Sequence, residues 1–295
     1  MNTTFARRQM SIGVSPLGGL FIVLWSSAFI AGKLGLAFAG PFTLLLMRFG
    51  VAAAVLLGIT LASDAPWPKR PIEYLHLAVV GILIQGLTLG AAYFGLQQGV
   101  SAGVMALITC LAPVLTALFA GRVLGERIAT RQWIGTCAGL IGVALVVIDK
   151  VSFGKASVLG YGATFVALGA FVAGTLYQKK FCPNMDLRTG NLVQILAAAS
   201  AVVLPALWLE GLHVQWTETL IMSTSWLSLV NSIGAMSLLY ALLRRGEASK
   251  VTLLFYLVPP VTALLGFAAL HETLGPIELA GFAITVGGVY LGGRA

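Results

Sequence analysis

Two positively charged residues, Lys33 and Arg48, lie inside long apolar stretches of this sequence. Each stands about seven residues from the turn at Gly40-Pro41, so two membrane helices joined by that turn would hold both charges at a similar depth. A Lys or Arg at the centre of a bilayer costs about 2.5–3.5 kcal/mol unless water or a partner is present. The pair could flank an aqueous cavity and attract a carboxylate, or it could extend to the lipid headgroups, and the sequence leaves both options open.

Weakly polar and aromatic residues lie in the same kind of apolar stretch. They could form hydrogen bonds with a small polar molecule, and the aromatic members could stack on an apolar side chain. Such residues also hold membrane helices together at below about 1 kcal/mol each, so we expect about half of them to serve packing. With Lys33 and Arg48, the predicted substrate-binding residues are Trp25, Ser27, Gln85, Tyr93, Thr109, Asn231, Tyr240, Thr252 and Tyr256.

Three prolines, Pro113, Pro259 and Pro260, lie near the middle of apolar stretches and are predicted hinges. A proline removes the hydrogen bond to the carbonyl four residues earlier, so Pro113 and Pro260 would free the carbonyls of Thr109 and Tyr256. At mid-membrane depth such carbonyls need a partner, which cavity water or a substrate ammonium could supply. The alternative is a pair of local kinks in which nearby Ser and Thr side chains satisfy the backbone.

Catalytic and metal-binding motifs are weak. Residues 99–103 match the G-x-S-x-G pattern of a hydrolase, but they open a membrane helix and not a strand-to-helix turn. His271-Glu272 lacks the second histidine of a zinc helix, and the phosphate-binding loop of nucleotide-hydrolysing enzymes does not occur. Three cysteines without metal-ligand spacing are expected to be small buried hydrophobic residues. We predict no enzyme activity, no metal, no cofactor and no bound nucleotide.

The composition requires a membrane around these residues. The 295 residues are 58% apolar and only 9% charged, with a mean hydropathy of +0.95, so polar residues are too few for a water-soluble domain of this size. About 20 apolar residues form a helix that crosses a bilayer. Ten such stretches occur, at roughly 16–36, 41–62, 72–95, 101–121, 131–148, 157–178, 189–209, 220–243, 249–270 and 276–293. The predicted fold is therefore an all-α integral membrane protein with ten transmembrane helices.

The distribution of Lys and Arg predicts the orientation in the membrane. With both termini in the cytoplasm, nearly all Lys and Arg residues between the spans fall on the cytoplasmic side, and only Lys150 and Lys155 fall outside. This bias satisfies the positive-inside rule. The net charge of +8 is thus explained without nucleic acid, and the expected surroundings are the lipids of a bacterial inner membrane.

The second half of the sequence repeats the first. Tyr93, Gly99 and Pro113 recur 147 residues later as Tyr240, Gly246 and Pro260. We therefore divide the chain into residues 1–148 and 149–295, with five spans each. Because five is odd, the second copy enters the membrane from the opposite side. Inverted repeats allow a fold to open alternately to either side of the membrane, as secondary transporters do.

Several motifs of the chain occur together in one known family. They are Trp25-Ser26-Ser27-Ala28-Phe29 followed by Gly32-Lys33, then Arg48 in the second span, and the Pro113 and Glu126 pair with its repeat at Pro260 and Glu272. In these features, and over essentially its whole length, the chain resembles the EamA family of the drug/metabolite transporter superfamily. Among its members it most resembles bacterial exporters of aromatic or diverse amino acids. The resemblance implies a central cavity lined by spans one, three, four, six, eight and nine.

The resulting functional hypothesis is export of neutral or aromatic amino acids from the cytoplasm by alternating access. All ten acidic residues lie in connections or at span ends, so no buried carboxylate can carry a proton, and we predict uniport or facilitated efflux. The alternatives are an exporter of drugs, nucleosides or other metabolites and, remotely, an intramembrane lipid-modifying enzyme. Gly135 with Gly139, and Gly288 with Gly292, could form dimer faces, but such pairs more often pack helices within one bundle, and a monomer is expected.

Overall fold

A computed structural model of the chain describes residues 16–148, 157–270 and 275–294. Within these ranges ten helices are long and apolar enough to cross a membrane, and no strand occurs. In chain order, α1 to α10 are Pro16–Gly35, Pro41–Ala62, Pro71–Gln97, Val104–Leu124, Thr130–Val147, Val158–Phe181, Leu187–Glu210, Glu218–Arg245, Ala248–Ala268 and Pro276–Gly293. The predicted all-helical membrane fold is confirmed, and α3 and α8 are longer than predicted.

Proline and capping side chains define where most of these helices begin. A proline, whose missing N–H is not needed in the first turn, occupies one of the first helical positions of α2, α3 and α10. The side chains of Ser157, Asp186 and Thr217 accept hydrogen bonds from the first-turn backbone N–H groups of α6, α7 and α8. Helix boundaries are therefore encoded locally, even though the helices themselves are almost uniformly apolar.

Several contacts between helices of different halves have counterparts in which each helix is replaced by its repeat copy. Contact of α1 with α9 has its counterpart in α6 with α4, and contact of α1 with α8 has its counterpart in α6 with α3. Likewise, α2 meets α8 as α7 meets α3. Two further pairs, α2 with α7 and α5 with α10, join a helix to its own repeat copy. This is the contact pattern that an inverted repeat predicts.

Helices α5 and α10 pack through glycine. A Cβ at Gly135 would lie 2.5 Å from the carbonyl oxygen of Gly288, and a Cβ at Gly288 would lie 2.6 Å from the amide nitrogen of Gly139. The two glycine pairs that could have formed dimer faces thus pack against each other within one chain. Cys137 points away from this contact and is exposed, so the expectation of three buried cysteines is wrong at this position.

Helices α4 and α9 are interrupted beside the predicted hinges. Helix α4 breaks between Thr109 and Ala112, directly before Pro113, and α9 contains a 3₁₀ turn, Leu254–Leu257, before Pro259 and Pro260. Proline cannot donate the hydrogen bond that would continue a regular helix. The prolines therefore interrupt repeat-related helices at corresponding positions, while their role as hinges stays a prediction.

Two π-helical segments, Gly81–Leu87 in α3 and Leu227–Ala235 in α8, were not predicted. They are also related by the repeat, because residues 81–87 correspond to residues 228–234 at the offset of 147. Segments of π-helix are rare and are found often at functional sites. Both of these carry polar side chains into the interior of the bundle.

Candidate functional site

A connected set of polar side chains, all buried except the half-buried Tyr93, lies where α2, α3, α7 and α8 meet. We call it the polar cluster, and it consists of Arg48, Gln85, Tyr93, Asn191, Ser232 and Tyr240. The Arg48 side chain is 5% exposed, and its Nε donates a hydrogen bond of 2.6 Å to the hydroxyl of Ser232. The hydroxyl of Tyr93 faces the same guanidinium. Arg48 is therefore held between two helices, α3 and α8, that belong to different halves.

The cluster continues from Ser232 toward the opposite end of the bundle. The Nδ2 of Asn191 donates to the Ser232 carbonyl at 3.0 Å, and the Nε2 of Gln85 donates to the Asn191 Oδ1 at 3.4 Å. The Tyr240 hydroxyl faces the Gln85 amide. Gln85 and Ser232 occupy equivalent positions of the repeat, 147 residues apart, and Asn191 links the two π-helical segments through its hydrogen bonds to both residues.

Arg48 carries the only formal charge of the polar cluster. Its contacts among the described residues are with Ser232 and Tyr93, and they include no carboxylate. An unpaired buried charge is strongly disfavoured in a low-dielectric environment, and an anionic partner removes most of that penalty. A planar guanidinium binds a carboxylate with two parallel hydrogen bonds. The arrangement is therefore suited to a carboxylate that arrives with a ligand.

A cavity connects this region to one end of the bundle, the end that holds the α1–α2 and α7–α8 connections. Its volume is about 660 Å³, and it is lined by residues 36–41, Tyr93, Leu96, Gln97 and residues 213–215. Tyr93 belongs both to the cavity wall and to the polar cluster. A small molecule in the cavity would thus meet the hydroxyl that faces Arg48.

Comparison with known proteins identifies the family. The EamA-like transporter family matches residues 16–148 and 158–293. This chain belongs to the EamA-like transporter family. A solved structure with 21% sequence identity shares the fold at a TM-score of 0.80, over 93% of this chain and 94% of the other.

Relatives of this EamA-like transporter carry transporter names. It is 26% identical to the uncharacterized inner membrane transporter YedA of Escherichia coli (strain K12), over 93% of this chain and 89% of that protein. It is 32% identical to a probable terminal-alkyne amino-acid exporter of Streptantibioticus cattleyicolor, over 92% and 90%. A probable amino-acid metabolite efflux pump of Salmonella typhimurium is 26% identical over 92% of both chains. The chain is thus a membrane transporter of the EamA type.

The structure separates the two charges that were predicted to act together. Lys33 is exposed on α1, whereas Arg48 is buried. Neither lines the cavity, and only Arg48 reaches it, through Tyr93. The two residues are equally far from the Gly40-Pro41 turn, but they lie on helix faces that point to different surroundings. In this structure Lys33 therefore does not flank the cavity, and its role in substrate binding stays a prediction.

Trp25 and Ser27 of the EamA-like transporter lie apart from the polar cluster. Trp25 packs with three aromatic rings, and its nearest ring centroid, that of Phe255, is 5.0 Å away in an edge-to-face arrangement. Ser27 accepts a hydrogen bond of 2.9 Å from the indole of Trp226. The neighbouring Ser26 is fully buried and donates to the carbonyl of Val258 in α9 at 3.3 Å. Ser26 and Ser27 therefore both contact helices of the opposite half, Ser26 through α9 and Ser27 through α8.

Four further predicted residues also lie outside the polar cluster. The Thr109 and Thr252 hydroxyls donate to carbonyls one turn earlier in their own helices. Tyr256 is buried against α5, where a Cβ at Gly139 would lie 2.5 Å from its ring. Asn231 donates to the carbonyl of Leu24 in α1. In this structure these side chains therefore contact their own helix or a neighbouring helix.

Sequence reasoning missed three amides, Gln178, Asn191 and Gln194, all of which are buried. The family resemblance directed attention to six spans that exclude the second and seventh, yet Arg48 and Asn191 lie on those two helices. A signal was available in the sequence, because Asn191 and Gln194 are three residues apart in an apolar span and so share one helix face.

Proposed function

We propose that this transporter exports amino acids, neutral or aromatic, and that Arg48 binds the substrate carboxylate. The observation that carries the proposal is the buried guanidinium of Arg48, whose described contacts are with neutral groups alone. A carboxylate would neutralise this charge with two hydrogen bonds. The names of the Streptantibioticus and Salmonella relatives, which refer to amino-acid export and efflux, support the same substrate class.

The proposed orientation places both termini in the cytoplasm of a bacterium, with the protein in the inner membrane. The bias of Lys and Arg supports it, as does the name of the E. coli relative. In this orientation the cavity beside Tyr93 opens to the outside. In alternating access, the two five-helix units, residues 1–148 and 149–295, would each adopt the arrangement of the other. The polar cluster would then open to the cytoplasm instead of the outside.

Facilitated efflux down the substrate gradient is the proposed mode of transport. Among the described residues, the acidic side chains lie at helix ends or in connections, which gives a proton no carboxylate at the level of Arg48. Counterflow in proteoliposomes should therefore proceed without a pH gradient. Counterflow that requires an imposed pH gradient would argue against uniport.

The substrate class can be tested by counterflow with a panel of amino acids, a nucleoside and a cationic dye. We expect amino acids to exchange and amino-acid amides, which lack the carboxylate, to fail. Arg48→Met should abolish exchange, while Arg48→Lys should retain a small part of it, because a lysine keeps the charge but not the planar geometry. Lys33→Met is the matched control and should exchange normally. Transport of the nucleoside or the dye, with no exchange of amino acids, would overturn the proposal.

A further inference from the structure

Two buried glutamines adjoin the polar cluster close to the α6–α7 connection. The Nε2 of Gln194 donates to the Oε1 of Gln178 at 2.9 Å, and the Nε2 of Gln178 donates to the carbonyl of Cys182 at 3.0 Å. Gln194 lies one turn from Asn191 on α7, on the same face but farther from the α6–α7 connection. Hydrogen-bonding side chains thus extend from Arg48 to the α6–α7 connection.

Besides the Tyr240 hydroxyl, two amide oxygens along this line have no hydrogen-bond partner among the described residues. They are the Oε1 atoms of Gln85 and Gln194, in side chains that are 1% and 0% exposed. A buried amide oxygen without a donor is costly, and lipid cannot supply one. Water or a ligand N–H group would satisfy both acceptors. An ammonium group, with three N–H donors and no acceptor, matches them in chemistry.

The Met185 thioether covers the glutamines from the α6–α7 connection. Its Sδ lies 3.3 Å from the Nε2 of Gln194 and 3.5 Å from the Nε2 of Gln178. Gly190 leaves room for it, since a Cβ there would lie 2.8 Å from the same sulfur. Sulfur is only a weak acceptor, and an unbranched methionine changes rotamer readily. Met185 therefore closes the path with a group that can be displaced at little cost.

We propose that Gln178, Asn191 and Gln194 form a second substrate site on the cytoplasmic side of Arg48, closed by Met185 in this structure. The assignment of an amino acid to this site rests on the proposed function above. The Oε1 of Gln194 receives the ammonium end of the substrate at this site, and Arg48 receives the carboxylate end once the substrate has moved to the first site. A zwitterion that enters from the cytoplasm displaces Met185 and meets the amides before it reaches Arg48.

Cysteine accessibility tests the site without any choice of substrate. In a variant with Cys110, Cys137 and Cys182 replaced by alanine, Gln194→Cys is labelled in inside-out vesicles with a membrane-impermeant methanethiosulfonate. We expect reaction, and at least fivefold faster reaction after Met185→Ala. The matched control is Gln132→Cys, because Gln132 is 1% exposed and its amide also has no partner among the described residues, but it lies on α5. It should stay unreactive in both backgrounds.

The proposal is overturned if Gln194→Cys reacts no faster than Gln132→Cys, with and without Met185→Ala. If Gln194→Cys does not reach the membrane, Gln178→Cys takes its place under the same criterion. A transport arm follows, in which Gln194→Leu should lower amino-acid counterflow at least tenfold and Gln132→Leu should not. If the wild-type protein moves no amino acid, the proposed function fails, while the labelling result still decides whether the second site exists.

Discussion

At the scale of single residues, the contact between Arg48 and Ser232 determines how the guanidinium is oriented. The hydroxyl of Ser232 accepts the Nε–H of Arg48 at 2.6 Å, so the remaining N–H groups of the guanidinium are left for the Tyr93 hydroxyl and for a carboxylate. Because Ser232 belongs to the π-helical segment of α8, its position depends on that irregular turn. Ser232 is a positioning residue, and its removal should affect substrate binding.

We expect Ser232→Ala to raise the half-saturating substrate concentration about tenfold, because a hydrogen bond to a charged group contributes about 1.5–3 kcal/mol. The maximal rate should change less. Counterflow over a range of substrate concentrations measures both quantities. Ser228→Ala is the matched control, since Ser228 lies one turn away, is equally buried and bonds only within its own helix. An equal effect in both variants would contradict the positioning role.

The sequence identified four of the six residues of the polar cluster, Arg48 and Gln85 among them, for a physical reason. Arg48 and Gln85 are rare residue types in apolar helices, and a rare polar side chain must find a partner there. Thr109 and Thr252 gave a weaker signal, because a hydroxyl can be satisfied by the carbonyl one turn earlier, as both are here. Composition does not show whether a polar side chain bonds to another helix or only within its own. The positions of the neighbouring helices decide this.

At the scale of helices, α5 and α10 approach so closely that glycine is required. A Cβ at Gly288 would lie 2.6 Å from the backbone nitrogen of Gly139, and a backbone atom cannot move aside as a side chain can. Lipid gives helices no hydrophobic reason to associate, so close packing between small residues supplies the attraction. The contact between α5 and α10 should therefore be among those of the fold that tolerate a larger side chain least.

Gly288→Ala should lower the melting temperature in detergent by several degrees, because the two helices must separate to admit the methyl group. The adjacent Gly287→Ala is the matched control. A Cβ at Gly287 would meet nothing within 4 Å, and alanine favours the helix by about 1 kcal/mol over glycine. Thermal unfolding monitored by fluorescence compares the two variants. A Gly287→Ala variant that is as unstable as Gly288→Ala would refute this account of the contact.

Helix number and approximate ends followed from the sequence, because apolar length and the positions of proline determine both. The π-helical segments in α3 and α8 could not be predicted in this way. A π-helical turn accommodates more residues than an α-helical one, and it alters neither the apolar character nor the length of a span detectably. Gln85 and Ser232 could therefore be recognised from the sequence as polar residues within apolar spans. Their link through Asn191 could not be predicted.

At the scale of the whole molecule, each half supplies a carboxylate to a helix of the other half. Glu126 accepts hydrogen bonds from the backbone N–H of Ala248 and from the N–H and hydroxyl of Ser249 at the start of α9. Glu210 does the same for Phe42 and Thr43 at the start of α2. The two contacts lie at opposite ends of the bundle. Each joins the halves through the positive end of a helix dipole.

Glu126→Gln and Glu210→Gln should each lower the free energy of unfolding by about 1 kcal/mol, through loss of a charged helix cap. The measurement is unfolding of the purified protein by SDS in mixed micelles. Glu73→Gln is the control, because Glu73 accepts from Lys69 within its own connection and joins no halves. If Glu73→Gln destabilises as much as the other two, the contacts between the halves have no special role.

Two helix pairs, α2 with α7 and α5 with α10, each consist of a helix and its repeat copy. They bear on how a duplicated chain can evolve. If the two halves were separate, identical chains that formed an antiparallel dimer, each of these helix pairs would be an isologous interface. Any side chain near the two-fold axis would then contact its own copy. An arginine at the position of Arg48 would then occur twice in one small interior. In the fused chain, the residues 146 and 147 positions later are Gln194 and Ile195, neither of them charged. In one fused chain the two halves need not be identical, so the polar cluster can hold one arginine while the equivalent positions of the other half are uncharged.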